Sequence, residues 1–297
     1  MDKFKAGVIG ATGMVGQRFV TSISRHPWFE LSVVAASARS AGRTYEEAAG
    51  SRWALDGPMP ECAKQLVLRD ASDVESVAAD VDFVFSAVDM KAEEIRALEE
   101  EYARHEIPVV SNNSANRWTP DVPMIIPEIN PEHLEVIPSQ KKRLGTSRGF
   151  IAVKSNCSIQ SYVPALSPLR EEFGLERVLA CTYQAISGAG KTFETWPEMV
   201  DNVIPYIGGE EEKSEREPMK IWGTVDGGII RPAVKPLITS QCFRVAASNG
   251  HMAAVFVTFG KKPPVDEIKA RWAEYKGRPQ ELGLPSAPKQ FLKYFEE

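Results

Sequence analysis

"KAGVIGATGMVGQRF", residues 5–19, decides the fold. The apolar run "KAGVIGA" reads as a strand, and "GMVGQRFVTSISRH" (13–26) carries the apolar spacing of a helix. Between them Gly10, Gly13 and Gly16 recur at three-residue spacing. A tight glycine turn between strand and helix lets backbone N–H groups approach a pyrophosphate, and the helix N-terminus adds partial positive charge. Glycine at such a turn also serves sterics alone. Position therefore carries the reading: the motif fills the first strand-to-helix turn of a βαβ unit.

The pattern continues outward. "ELSVVAAS" (30–37) reads as a second strand, followed later by "VDFVFSAV" (81–88), the helix-like "KAEEIRALEEEYARHE" (91–106) and the strand "IPVVSNNS" (107–114). This alternation predicts an α/β domain, a Rossmann-type doubly wound parallel sheet over residues 1–150. An NAD-binding domain usually has an acid after its second strand to bind the ribose 2′-OH. Here Ala36-Ser37-Ala38-Arg39-Ser40 has none, and Arg39 is placed to meet a 2′-phosphate. NADP is the expected cofactor; an Arg39 that is merely solvated is the alternative.

The polar stretch "SQKKRLGTSRG" (139–149) reads as a hinge, and beyond it the pattern changes. "GFIAVKS" (149–155) is strand-like and leads to Cys157. "SIQSYVPALSPLREEF" (158–173) reads as a helix despite its prolines, and "LERVLACTYQAIS" (175–187) as a long strand. "CFRVAASNG" and "HMAAVFVTF" read as two strands flanking a turn at Asn249-Gly250. Residues 151–297 are thus expected to form an α+β domain with a mixed sheet.

Bulk properties exclude several classes. A net charge of −5 offers no basic footprint for nucleic acid. No run of about 18 apolar residues suggests a membrane span. "MDKFKAGVIG" lacks the apolar stretch of a signal peptide, so a cytoplasmic location is the expectation. Cys62, Cys157, Cys181 and Cys242 are scattered without a CxxC pair, and the four histidines form no ligand cluster, so no metal site is expected.

Cys157 in "KSNCSIQ" (154–160) can be a small core residue, a metal ligand or a nucleophile. The helical pattern after it favours the nucleophile, because a helix N-terminus favours the thiolate. Ser155 and Asn156 stand ready to cap that helix or donate to an oxyanion. Gln184 lies beside a glycine-rich turn, Lys213 in an acidic run, and Arg244 seven residues before His251. Each also has a bland reading as a strand, turn or surface residue.

Six motifs in order turn these fragments into a resemblance: "GATGMVGQRF", "SNNSANRW", "SNCSIQ", "TYQAISGAGK", "NVIPYIGGEEEK" and "RVAASNGHMAAV". From about residue 4 to 288 the chain resembles the aspartate-semialdehyde dehydrogenases, particularly their archaeal and fungal-type branch. The resemblance implies Cys157 as nucleophile, His251 as acid/base and Gln184 as the residue orienting the substrate. It implies Arg244 for the substrate carboxylate, Glu210 for its ammonium, Lys213 and Arg117 for phosphate, and Asn156 beside the nucleophile. Cofactor contacts are expected at Gly10, Thr12, Gly13, Met14, Val15, Gly16, Ser37, Arg39, Ser40, Ser86, Ser187 and Gly188. The implied partners are aspartyl phosphate, aspartate semialdehyde, phosphate and further copies of the chain, as a homodimer or homotetramer.

The implied reaction is NADPH-dependent reduction of 4-aspartyl phosphate to aspartate 4-semialdehyde through a thioacyl-cysteine, in lysine, methionine and threonine biosynthesis. Malonyl-CoA reductase, which looks similar, uses the same cysteine–hydride chemistry and is the alternative. So is an inactive nucleotide-binding homologue. Two departures stand out. Ala246-Ala247-Ser248 replaces a proline-containing run, and "LPSAPKQFLKYFEE" (284–297) does not resemble the continuation usual in the family. The second departure reads as a truncated product, a fragment or a divergent member of the family, with weakened cofactor binding expected.

Overall fold

The computed structural model describes residues 2–296; Met1 and Glu297, the outer limits of the two expected domains, lie outside them. Contacts divide the chain into two compact units. One comprises the chain up to Met124 with Leu134–Lys154 and Gly227–Ile229. The other comprises Ile125–His133, Ser155–Asp226 and the chain from Ile230 onward.

The first unit is built on a seven-stranded sheet. Its strands are β1 (Phe4–Ile9), β2 (Phe29–Ala36), β3 (Arg69–Asp70), β4 (Phe83–Ser86), β5 (Val109–Ser111), β6 (Met124–Ile125) and β7 (Ile151–Lys154). They run in the order β3-β2-β1-β4-β5-β7-β6. Pairing from β3 through β7 is parallel. The chain moves outward from β1 to β3 and then crosses back to β4, so the order reverses beside β1. Open α/β sheets bind ligands at such a switch point.

The helices of this unit are α1 (Met14–Ser24), α2 (Tyr45–Ala49), α3 (Glu61–Lys64), α4 (Val74–Ala78), α5 (Ala92–Arg104) and α6 (Ile137–Leu144). The apolar run Ala6–Ile9 is wholly buried, as expected of a strand covered on both faces. Val20 and Ile23 of α1 pack with Val8, Leu31 and Val34, against which the rings of Phe19, Phe29, Phe83 and Phe85 close. Residues 139–149 are not a hinge. Most of them belong to α6, which ends at left-handed Gly145 (φ 74°), and buried Gln140 donates to Asp121 O and Ile151 O.

The second unit holds α7 (Val163–Phe173), β8 (Leu175–Gln184), β9 (Val203–Ile204) and α8 (Glu210–Ile221). A two-stranded hairpin, β10 (Thr224–Asp226) and β11 (Ile229–Arg231), leads to β12 (Leu237–Val245) and β13 (His251–Phe259). Helices α9 (Val265–Glu274) and α10 (Arg278–Glu281) follow. The main sheet has the order β13-β8-β12-β9. β12 pairs with β8 in parallel and β13 pairs with β8 antiparallel, so the two strands flanking Asn249-Gly250 are separated by β8. The sheet is mixed, as the sequence predicts.

Side chains alternate across this sheet. Val178, Ala180, Thr182 and Gln184 of β8 are buried on one face with Ile238, Ser240, Cys242 and Arg244 of β12. Leu179, Tyr183, Leu237, Met252 and Phe256 are exposed on the other.

The helix expected from residue 158 starts later. Ser158–Ser161 form a 3-10 turn, Tyr162 leaves the helical region (φ −133°), and α7 begins at Val163 with a proline in its first turn. The residues after α10 fold back on α9: Tyr294 stacks on Trp272 at 6.1 Å, with Lys269 Nζ 4.7 Å above the Tyr294 ring.

Candidate active site

One rung of the second sheet carries three of the expected site residues. His251 of β13 pairs with Gln184 of β8, which pairs on its other side with Arg244 of β12. Cross-strand partners point to the same face. A single register therefore lines up an imidazole, an amide and a guanidinium.

Cys157, exposed, caps the 3-10 turn that packs under this row, and its Sγ lies 3.2 Å from His251 Nε2. The Ala185 N–H donates to His251 Nδ1 at 3.1 Å. The carbonyl of the same residue accepts from Arg244 Nη1 at 2.8 Å. Gly188 closes the gap between the two side chains. A Cβ there would stand 2.9 Å from Arg244 Nη1 and 3.1 Å from His251 Cε1. Arg244 is buried; desolvation lowers its pKa, while the charges of Glu210 and Cys157 oppose that. A guanidinium stays cationic regardless.

Glu210, the first residue of α8, is buried and collects three donors. Lys213 Nζ reaches Oε1 at 2.7 Å, Asn156 Nδ2 lies 3.0 Å from Oε2, and Gln184 Nε2 donates to Oε2 at 3.3 Å. Burial works against its charge, but the Lys213 ammonium and the two amides outweigh it and hold the carboxyl below its usual range. Asn156 is fixed from several directions. Its N–H donates to Glu217 Oε2 at 2.6 Å, and its Oδ1 accepts from Ser158 N at 2.8 Å and Ser158 Oγ at 2.6 Å.

Sequence reading did not single out Glu217, Ser158 or Ala185. For Glu217 a signal was present: it stands seven residues after Glu210, two turns along the same helix face. Ala185 acts through its backbone, which no side-chain pattern announces.

The remaining phosphate candidate, Arg117, lies in the first unit. It is buried and donates to Lys154 O at 2.9 Å and Asn112 O at 3.1 Å. The "SNNSANRW" motif around it encloses buried Glu99, which accepts from Asn116 at 2.8 Å and Asn113 at 3.1 Å.

The first unit also holds a groove of about 460 Å³ at the β1 switch point. Gly10, Thr12, Gly13, Ser37 and Arg39 line it, together with Arg52, Asp70 and Ser72, which sequence reading left out. Gly10 has φ +82°, and a Cβ there would fall 2.3 Å from Ala87 O. At Gly16 it would fall 2.2 Å from Gly10 O. The glycines are thus required by close backbone approach. Gly13 caps α1 without a side-chain hydrogen bond and no acid occupies the first turn, which leaves the helix start open to an anion. These features fit a dinucleotide, and Arg39 lines the same groove.

Other expected cofactor residues lie apart from the groove lining. Met14, Val15 and Gly16 are on α1 behind the turn, and Ser40 ends the 3-10 turn after Ser37. Ser86 is buried and accepts from Asn113 Nδ2 at 3.0 Å. Ser187 and Gly188 belong to the second unit, where Gly188 faces Arg244 and His251. Among the described residues no group of three His, Cys, Asp or Glu side chains could hold a metal ion. None of their helices is long and apolar enough to cross a membrane.

Known proteins resemble this chain across both units. Residues 5–137 match the family described as "Semialdehyde dehydrogenase, NAD binding domain" and residues 166–295 the "Semialdehyde dehydrogenase, dimerisation domain". The second match runs through "QFLKYF" (290–295), so this segment lies within the family's domain, contrary to the expectation that it is foreign to the family. The aspartate-semialdehyde dehydrogenase of Methanothermobacter thermautotrophicus is 42% identical over 96% of this chain and 79% of its own length. That of Aspergillus fumigatus is 40% identical over 99% of this chain and 81% of its own. The crystal structure of the Candida albicans enzyme with NADP superposes with a TM-score of 0.86 at 36% identity, covering 97% of this chain and 81% of that one. With two family domains matched in order and identity sustained across nearly all of its length, the chain belongs to the aspartate-semialdehyde dehydrogenase family.

Proposed function

We propose that the chain reduces L-4-aspartyl phosphate to L-aspartate 4-semialdehyde, releasing phosphate, through an acyl group carried on Cys157. The observation that carries this reading is the 3.2 Å approach of Cys157 Sγ to His251 Nε2, at a rung that also presents Arg244. Cys157 attacks the acyl phosphate carbon and displaces phosphate, forming a thioester. Arg244 binds the α-carboxylate as a charge-assisted pair, which suits its planar fork. Glu210 receives the α-ammonium, and Gln184 orients the acyl group. Lys213 supplies positive charge for phosphate. NADPH, when bound over Gly10–Gly13 with Arg39 at its 2′-phosphate, supplies the hydride that reduces the thioester.

Glu210 favours aspartyl phosphate over malonyl-CoA. Lys213 pairs with its Oε1, while Oε2 accepts from the neutral amides of Asn156 and Gln184 and has room for a cationic partner that an α-ammonium would supply and malonyl-CoA lacks. The exposed apolar face of β8, β12 and β13, with Met252 and Phe256 more than 60% accessible, is the surface on which a second copy packs to form the homo-oligomer.

Intact-mass analysis tests the covalent step. Mixed with aspartyl phosphate and no NADPH, the chain should gain one aspartyl group on Cys157, and Cys157→Ser should gain none. Absence of an adduct on the wild-type chain, or an adduct formed equally from malonyl-CoA, overturns the assignment.

A further inference from the structure

We infer that Arg52 grips the pyrophosphate of the dinucleotide, and that buried Gln17 presents it there. Arg52 lines the groove of the first unit beside Gly10, Thr12 and Gly13. It is exposed and spends one of its five N–H groups within the chain, Nη2 donating to Ala48 O at 2.9 Å. Asp70 and Asp89 share the groove lining, yet among the described residues no carboxylate pairs with Arg52. Asp70 is turned onto Ser72, accepting from its N–H at 3.0 Å and its hydroxyl at 2.7 Å. A guanidinium fork left open on a groove wall suits two oxygens of a phosphate.

Gln17 decides which phosphate Arg52 meets. This side chain of α1 is 1% exposed. Its Nε2 donates to Thr12 O at 3.1 Å and to Arg52 O at 2.9 Å, and its Oε1 accepts from the Ala54 N–H at 2.9 Å. One amide thus clamps the turn that opens α1 to the segment that carries Arg52. Buried Tyr45, at the start of α2, adds a second clamp by donating to Ala11 O at 2.9 Å.

In a trans peptide the N–H points opposite to the C=O. Holding Ala11 O therefore turns the Thr12 N–H away from Tyr45, and among the described residues that N–H has no partner. An open backbone donor, the start of α1 and an open guanidinium stand on one wall of the groove. The pyrophosphate is the group of the dinucleotide that binds at such a turn. Arg39, on the turn after β2, is left for the 2′-phosphate, so the two arginines divide the cofactor between them. Arg39 separates NADP from NAD, and Arg52 serves both. This inference rests on the dinucleotide site of the first unit and not on the acyl step proposed for Cys157.

Titration calorimetry of NADP and of NAD with the full chain tests it. Arg52→Ala, a change on an exposed side chain, should weaken both dinucleotides about 10-fold, the worth of one charged hydrogen bond. A loss confined to NADP would put Arg52 at the 2′-phosphate, and unchanged affinity for both would make it a solvated surface arginine; either overturns the inference. The positioning role of Gln17 is read from coupling between the two residues. In a Gln17→Leu background, or Gln17→Met where leucine does not fold, adding Arg52→Ala should cost less than about 3-fold. A full 10-fold cost in that background would refute presentation by Gln17. The Cys157 adduct forms without NADPH and reports on the acyl reading separately, so each can fail alone.

Discussion

Gly188→Ala isolates the geometry of the candidate site from its chemistry, because glycine contributes no reacting group. The added methyl would meet Arg244 Nη1 at 2.9 Å, His251 Cε1 at 3.1 Å and His251 Nε2 at 3.2 Å. Carbon contacts settle near 3.5–4.0 Å, so the guanidinium must retreat by roughly 0.6–1 Å and the imidazole by a few tenths. Arg244 Nη1 is the end of a flexible side chain and can move. Overpacking should therefore cost only about 1 kcal/mol of stability, the low end for such changes. The site is less forgiving: a misplacement of about 1 Å can lower a rate 100-fold. We expect kcat/KM for phosphate-dependent oxidation of aspartate semialdehyde to fall about 30- to 100-fold. KM should rise through the displaced Arg244, and kcat should fall through the displaced His251. Steady-state NADP reduction gives both constants, and urea unfolding gives the stability. A variant with kcat/KM within threefold of wild type would refute the reasoning, since the Gly188 loop would then be shown to yield in place of the side chains.

Three further predictions bear on other parts of the chain. Arg39→Ala should weaken NADP binding about 10- to 100-fold, the worth of one or two charged hydrogen bonds, and leave NAD binding unchanged by titration calorimetry. Glu210→Gln should destabilise the fold by about 1–2 kcal/mol at neutral pH in urea titrations. The folded carboxyl of Glu210 lies below its ordinary value of 4.5, so this stabilisation is complete above that pH and is lost as pH falls through the folded value. The gap between wild type and variant should close there, and a gap that persists in acid would contradict the charge argument. Phe256→Asp, placing a charge on the open face of β13, should shift the assembled protein toward monomer in sedimentation velocity while leaving the Cys157 acylation rate of the folded chain within a few-fold.

Much of the fold was legible because parallel strands buried on both faces announce themselves. Ala6–Ile9 and Leu31–Ala36 could belong to little else, and the glycine turn between Ile9 and Met14 identified the switch point. The misreadings have physical causes. "SQKKRLGTSRG" looked like a hinge because its polar residues dominate, yet Gln140 is buried by hydrogen bonds that composition does not reveal. The helix after Cys157 was read too early because the apolar spacing of "SIQSYVPAL" continues through Tyr162, where the backbone breaks. That break matters for the candidate site, since it leaves Cys157 on a short turn, not on the end of a long helix. The residues around Cys157 came from a resemblance of motifs. Their alignment on one rung depends on β8 lying between β12 and β13, a pairing that local pattern does not specify.

The same topology explains why an acidic helix stands beside a site that binds anions in the proposed reaction. Glu210 and Glu217 are seven residues apart on α8 and meet the two ends of Asn156, one at its side-chain amide and the other at its backbone N–H. Between them Ser214 accepts from Tyr162 OH through its carbonyl at 2.8 Å. Glu211 and Glu215, on the neighbouring face, accept from the backbone N–H groups of Cys242 and Ser240 on β12. Four carboxylates of one helix thus satisfy donors on the two segments that carry Cys157 and Arg244. Each of these carboxylates is occupied by donors within its own unit. A buried unpaired N–H at Asn156 or Ser240 would cost about 1–3 kcal/mol each. The acidic run "GEEEKSERE" therefore serves as a structural template for the nucleophile turn, and only its first glutamate is left to meet the substrate in the proposed reaction.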